Sequence, residues 1–182
     1  GWVGLAKARG IGAKAILAEV LASGLRGRGG AGFPAAIKWK TVAGAASHQK
    51  YIVCNADEGD SATFADRMVM EGDPFMLIEG MAIAGLAVGA DKGFVYIRSE
   101  YPYAIAKMRA AVKASAHLVA PFDIEVRVGA GAYVCGEETS LLNSLEGKRG
   151  EVRAKPPLPA LQGVFGQPTV VNNVLTLAAV PW

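Results

Sequence analysis

Alternation between apolar runs and mixed polar segments divides the chain into strands and helices. Residues 51–54 and 93–97 are short continuous apolar runs, the pattern of strands that are covered on both faces of a parallel sheet. Residues 122–128 alternate apolar and polar side chains, which predicts a strand with one wet face, at or near a sheet edge. Residues 169–176 predict an extended segment that leads through an asparagine cap into a final helix.

The segments between these strands carry helical signals. Pro34 fits the first turn of a helix over residues 35–46, and Asp73 with Pro74 predicts the start of a long apolar helix that includes residues 75–90. Further helices are predicted over residues 11–21, 62–71, 102–118 and 138–145. Strands that alternate with helices predict an α/β fold around a mainly parallel sheet.

Composition narrows the classes of partner. The chain has 182 residues, of which 52% are hydrophobic, enough for one domain with a sizeable core. Its formal charge of +3, with no basic cluster beyond Lys148-Arg149, argues against nucleic acid as a partner. The most apolar stretch, residues 75–90, contains Glu79 and is too short to span a bilayer. No signal peptide is evident, so we expect a cytoplasmic protein with no direct membrane insertion.

Cysteine and histidine give no catalytic or metal constellation. Cys54 and Cys135 stand far apart in strand-like surroundings, which predicts buried reduced thiols and neither a disulfide nor a metal site. Neither of the two histidines has a partner set that would suit catalysis. The chain begins at Gly1 and stops at Trp182 where a helix is running, so we expect a fragment of a longer polypeptide.

A glycine-rich loop over residues 27–34 is the first candidate site, with four glycines among its first six residues. Gly27, Gly29 and Gly32 match the dinucleotide fingerprint G-x-G-x-x-G, but a helix-like segment precedes them where that fingerprint needs a strand. The Rossmann interpretation therefore fails. The loop is either an exposed turn or a place where backbone amides approach a phosphate or a planar cofactor.

Three further loops are candidates. Residues 55–60 place polar side chains directly after a strand, as a ligand site would, although they would also suit a turn with Ser61 capping the next helix. Glu137 and Glu138 disfavour a phosphate; they would accept hydrogen bonds from a ribose or a nicotinamide, or simply complement a helix dipole. The proline-rich loop over residues 147–168 contains Lys155, and long loops of this kind are often functional.

Taken together and in order, these loops resemble one family. They are similar to the flavin- and NADH-binding subunit of respiratory complex I, and closest to the beta subunit of NAD-dependent formate dehydrogenase and the diaphorase subunit of NAD-reducing hydrogenase. The matching stretches are residues 24–34, 54–58, 127–138, 143–147, 155–157 and 172–173. The resemblance implies a Rossmann-like but non-Rossmann α/β sandwich that forms one FMN- and NAD(H)-binding domain over residues 1–182.

The resemblance also implies roles for individual residues, with hydride transfer carried by FMN and no catalytic side chain beyond support from Glu138. The glycine loop with Arg28 and Lys38 would line the FMN site, Phe33 would stack near adenine, and a bulky change such as Gly30→Val would abolish cofactor binding. The cofactor-binding residues that it implies are Gly27, Arg28, Gly29, Gly30, Ala31, Gly32, Phe33, Lys38, Asn55, Asp57, Glu58, Asp60, Tyr133, Gly136, Glu137, Glu138, Lys155, Asn172, Asn173 and Thr176.

The family's function gives the expected activity: hydride exchange between NAD(H) and FMN in the NAD-reducing part of a formate dehydrogenase. The alternatives are a subunit of NADH dehydrogenase, a hydrogenase diaphorase, or a flavin-binding scaffold without NADH turnover. The family's ubiquitin-like domain and its helical bundle with a 4Fe–4S cluster are expected outside this chain, and its partners would be iron–sulfur subunits that can hold it at a membrane. Lys40 and Thr41 stand where the family has a second stacking aromatic residue, and Leu158 stands where it commonly has a phenylalanine, which bears on the adenine contacts.

Overall fold

The computed structural model describes residues 1–182 and confirms an α/β fold. The helices are α1 Val3–Ile11, α2 Ala13–Ala22, α3 Ala35–Gly44, α4 Ala65–Gly72, α5 Pro74–Val88, α6 Pro102–Val119, α7 Glu138–Leu145 and α8 Val174–Ala178. The strands are β1 Tyr51–Ala56, β2 Lys92–Arg98, β3 Asp123–Gly129 and β4 Thr169–Asn173. Short 3₁₀ turns occur at Tyr133–Gly136 and Val164–Gly166.

The four strands form one parallel sheet in the order β3-β2-β1-β4. The predicted wet-faced strand is β3, at one edge, and the predicted extended segment forms β4 at the other. Alternate side chains of β1 enter two different cores, because successive residues of a strand point to opposite faces. Ile52 and Cys54 pack in the larger core with α5, whereas Val53 packs in the smaller core with Leu141 and Leu142 of α7.

Twelve of the fifteen residues of helix α5 are buried, and the helix lies at the centre of the larger core. Its predicted cap is confirmed: the Asp73 carboxylate accepts a hydrogen bond of 3.2 Å from the Met76 amide, and Pro74 occupies the first helical position. The one acidic residue within the helix, Glu79, accepts the amides of Trp2 and Leu5 and so fixes the start of α1. No helix in the structure has the length and apolar character needed to cross a bilayer.

Several predicted element ends were wrong, each for a local reason. The helix predicted over residues 11–21 is α2 and begins only at Ala13, because Gly12 takes a left-handed φ of 80° and separates it from α1, which was not predicted. Pro34 precedes α3 as its extended N-cap instead of lying in the first turn. Ser61 does not cap α4, which begins at Ala65. The carboxylate of Glu58 caps it instead, accepting the amides of Asp66 and Arg67.

Candidate functional site

A cavity of about 600 Å³ opens where the glycine loop, the carboxyl ends of β1 and β4, and the start of α7 meet. This is the edge of a parallel sheet where ligands of α/β proteins bind, and the volume is that of a small-molecule site. The residues that line it are Gly27, Gly29, Ala31, Gly32, Phe33, Ile37, Lys38, Thr41, Asn55, Gly136, Glu137, Glu138, Lys155, Leu158, Pro159, Ala160, Thr169, Val171, Asn172 and Asn173.

The glycine loop forms one wall of this cavity. A short antiparallel bridge between Arg26 and Pro34 closes the loop, and the Gly27 amide donates to the Phe33 carbonyl at 2.9 Å. Gly32 has a left-handed φ of 62° that other residues rarely adopt. A Cβ atom on Gly29 would lie 3.3 Å from the Cβ of Asn173. The loop therefore needs glycine both for its backbone path and for close approach to β4.

At the end of β1, Asn55 ties the acidic loop to the start of α7. Its amide nitrogen donates to the Gly136 carbonyl at 2.9 Å, and its oxygen accepts the Asp57 amide at 3.2 Å. The Oδ2 atom of Asp57 lies next to Gly136, is buried, and has no hydrogen-bond partner within the protein. A buried polar atom without a partner is costly, so this oxygen is suited to a donor supplied by a ligand.

Burial is also the main reason that the pKa of Asp57 rises to about 6, with nearby Arg98 opposing the shift. Burial likewise raises the pKa of Asp66 to about 6, with the hydrogen bond from Asn173 opposing. Because these raised values mean that the folded state holds its protons more tightly than the unfolded state, both groups stabilise the fold at low pH. That stabilisation is lost as the pH rises through about 6.

We therefore expect the unfolding midpoint of the cofactor-free protein to rise as the buffer is taken from about pH 8 to about pH 5. Asp57→Asn should reduce this rise, because the amide does not titrate. Glu19→Gln, at an exposed carboxylate paired with Lys7, serves as the control and should show the same rise in the unfolding midpoint as the parent. Thermal unfolding followed by circular dichroism measures the effect, and an equal pH dependence in Asp57→Asn and the parent would contradict the assignment.

Four charged side chains alternate along another wall. Lys155 Nζ donates to Glu137 Oε1 at 3.0 Å and to Glu138 Oε1 at 3.1 Å, while Lys38 Nζ lies 3.6 Å from Glu138 Oε2. The other oxygen of Glu137 caps α7, accepting the amides of Thr139 and Ser140. The pKa of Glu137 is lowered because these donors and Lys155 outweigh its burial. Glu137 thus performs the capping role, whereas Glu138 retains acceptor capacity towards the cavity.

Side chains of β4 and α8 support the remaining wall of the cavity. Asn172 Oδ1 accepts the indole N–H of the buried Trp39 at 2.8 Å, and Lys38 Nζ donates to the Val171 carbonyl at 2.7 Å. Thr176 is fully buried, and its hydroxyl accepts the Arg28 amide at 2.8 Å. The threonine therefore fixes the glycine loop from behind.

The structure brings most of the residues predicted from the sequence to the cavity wall and places seven elsewhere. Glu58 is buried at the start of α4, where Tyr101 also donates to it at 3.1 Å. Tyr133 is exposed and donates to Asp60 at 3.0 Å. The residues outside the lining are Arg28, Gly30, Asp57, Glu58, Asp60, Tyr133 and Thr176. Of these, Asp57 and Thr176 lie directly behind the residues of the wall.

The cavity also includes residues that the sequence analysis did not select. Ile37 and Thr41 continue the face of Phe33 at helical spacing along α3, so their position was available from the pattern. Leu158, like Thr41, drew notice only because the resembling family has an aromatic residue there. No signal marked the others, which are Pro159, Ala160, Thr169 and Val171.

Comparison with known proteins gives consistent relatives. Residues 20–182 match the family model described as the Nuo51 FMN-binding domain. The whole chain is 51% identical to 39% of the NADP-reducing hydrogenase subunit HndC of Solidesulfovibrio fructosivorans. A second relative is an NADH-quinone oxidoreductase subunit of Rhizobium meliloti. The alignment covers 91% of this chain and 42% of the relative, and the sequence identity within it is 52%.

A solved structure shows the same fold. It is the air-oxidised NAD⁺-reducing NiFe-hydrogenase. The alignment covers 92% of this chain and 30% of the hydrogenase chain, with a TM-score of 0.89 and a sequence identity of 49%. The chain thus spans less than half the length of each of these relatives.

Proposed function

The chain belongs to the family of the Nuo51 FMN-binding domain, and on that premise we propose that it exchanges hydride between NAD(H) and FMN as part of a multisubunit redox enzyme. The observation that carries the proposal is the convergence of the glycine loop, Asn55, the Glu137–Glu138 pair and Asn172–Asn173 on one cavity. These loops lie far apart in the sequence, so their meeting is a property of the fold.

The residues present suit FMN. The glycines of the loop offer a stretch of wall without side chains, against which a planar ring can lie. The partnerless Oδ2 atom of Asp57 suits an N–H donor such as the flavin ring carries. Lys38 and the amides of Asn172 and Asn173 offer donors for the polar chain and the phosphate.

In this proposal the protein positions two cofactors. A bound FMN supplies the hydride chemistry, so no side-chain acid or base is needed. Glu138 accepts hydrogen bonds from the ribose or the carboxamide of NAD(H), and Lys155 holds its carboxylate in place. Phe33 and Ile37 are each about half exposed, and with Leu158 they provide an apolar surface for the adenine.

The identity of the enzyme to which this chain contributes is the more specific part of the proposal. The sequence favoured the NAD-reducing part of a formate dehydrogenase, whereas the relatives described above are hydrogenase and NADH-quinone oxidoreductase subunits. We place the chain in an enzyme of this general kind, with iron–sulfur partner subunits that receive or supply single electrons. Purification of the native complex, followed by assays with formate, hydrogen and quinone, identifies the electron donor or acceptor.

The activity itself is tested by anaerobic assay of the purified protein with NADH and ferricyanide, with and without added FMN. The proposal predicts turnover that depends on FMN. Absence of NADH oxidation by FMN-saturated protein would favour the alternative of a flavin-binding scaffold.

Replacing Glu138 by glutamine should raise the KM for NADH about 10-fold or more, because a charge-assisted hydrogen bond is lost. Affinity for FMN should change little. Glu151→Gln is the matched control, since Glu151 is an exposed carboxylate in the following loop, paired only loosely with Arg149 at 3.6 Å. Steady-state kinetics with fluorescence titration of FMN measures both quantities. An unchanged KM in Glu138→Gln would remove this residue from the NADH site.

A further inference from the structure

Asp66 is a buried carboxylate directly behind the cavity. It lies in the first turn of α4 with only 5% of its surface exposed. Its Oδ2 atom accepts a hydrogen bond of 2.7 Å from Nδ2 of Asn173, a cavity-lining residue 107 positions further along the chain. This side-chain hydrogen bond joins α4 to the end of β4.

The surrounding structure fixes Asp66 firmly. Its backbone amide donates to Glu58 Oε1 at 2.9 Å, and Glu58 Oε2 accepts the hydroxyl of Tyr101 at 3.1 Å. The carbonyl of Glu58 in turn accepts a hydrogen bond from the Arg98 guanidinium. The start of α4 is therefore anchored through Glu58 to Arg98 of β2 and to Tyr101 at the N-cap of α6, so the backbone of Asp66 is held independently of Asn173.

The hydrogen bonds of Asn173 determine the orientation of its amide. Its oxygen accepts the Leu175 amide at 2.8 Å, and one of its two N–H groups donates to Asp66. An ionised carboxylate only accepts and a backbone amide only donates, so a flipped amide would lose both bonds. The second N–H of Asn173 has no acceptor within the protein.

We propose that Asp66 is a positioning residue of the cofactor site: its carboxylate fixes the Asn173 amide so that the remaining N–H is available to FMN. The proposal rests on the function proposed above. Asp66 does not itself line the cavity and acts only through Asn173. Glu58, which the family resemblance assigned to the flavin, contributes here by holding Asp66.

Two variants separate positioning from simple support of the fold. Asp66→Asn is isosteric, but its amide is uncharged and can present either a donor or an acceptor to Asn173. Only the Leu175 amide then still orients the Asn173 side chain. The double variant Asp66→Asn with Asn173→Asp restores a hydrogen bond between α4 and β4 with donor and acceptor exchanged. It leaves residue 173 with acceptors only and adds a negative charge at the cavity.

Titration of the purified protein with FMN, followed by quenching of flavin fluorescence, gives the dissociation constants. We expect Asp66→Asn to weaken FMN binding about 10-fold, because the Asn173 N–H that would donate to FMN is less firmly held in position. The double variant should regain the unfolding midpoint of the parent, measured without FMN, while its FMN binding stays at least as weak as that of the single variant. Glu79→Gln is the control, because Glu79 is an equally buried carboxylate that supports α1 away from the cavity.

Parent-like FMN affinity in Asp66→Asn would overturn the proposal, and so would a double variant that recovers both stability and FMN affinity. If the single variant does not fold, the double variant provides the test. A folded double variant with the FMN affinity of the parent overturns the proposal, whereas a folded double variant that binds FMN weakly supports it. Failure of the parent protein to bind FMN is a different result, because it would contradict the proposed function itself.

Discussion

Replacing Gly29 by valine should weaken FMN binding by at least about 100-fold and leave the fold intact. A Cβ atom at this position already lies 3.3 Å from the Cβ of Asn173, and the two methyl groups beyond it would enter either the asparagine or the cavity. Gly29 does not have a positive φ, so valine costs little backbone strain there. Fluorescence titration with FMN measures the loss, and circular dichroism reports the fold.

Gly72→Val is the matched control, because Gly72 ends α4 and a Cβ atom added there would meet no other atom within 4 Å. It should bind FMN as the parent does. Gly30→Val, which the sequence suggested, is a poorer test, since Gly30 has a φ of 105° and valine would strain the backbone there. Parent-like FMN affinity in Gly29→Val would contradict the role of the glycine loop as a wall of the cofactor site.

Replacing Gly80 by alanine should lower the free energy of unfolding by about 3 kcal/mol, at the upper end of the cost of overpacking a core. The added Cβ would lie 1.9 Å from the Leu177 carbonyl oxygen, so α5 and α8 would have to separate. Because α8 follows Asn173 and carries Thr176, FMN affinity should fall as well. Urea denaturation measures the stability.

The control for this change is Gly10→Ala in α1, where the added carbon meets no atom within 4 Å. Alanine there should stabilise the protein by up to about 1 kcal/mol, because it has the higher helix propensity. The account of the α5–α8 contact would be wrong if Gly80→Ala unfolded at the same urea concentration as the parent.

Much of the fold could be predicted from local pattern. The bounds of α7 and the cap of α5 at Asp73 matched the structure, since both depend on residues that are neighbours in the chain. The break at Gly12 was missed because a glycine within a helical pattern can be tolerated or can end the helix. The cap of α4 was missed because it is supplied by Glu58, which lies seven residues before the helix begins.

The candidate site divides in the same way. The glycine loop and Glu138 were recognisable as motifs, and the structure brings them to one cavity. Asp66 had no signal, because in the sequence it is an ordinary acidic residue in the first turn of a helix. Its significance comes from Asn173, 107 positions away, and only the three-dimensional structure reveals that pairing.

The central claim is that this chain holds FMN where NADH can reduce it. The most direct measurement is an anaerobic titration of the FMN-loaded protein with NADH, followed by the visible absorption of the flavin. We expect this band to bleach in proportion to the NADH added and to return when air is admitted. Flavin-loaded protein that keeps its full visible absorption at saturating NADH would contradict the account.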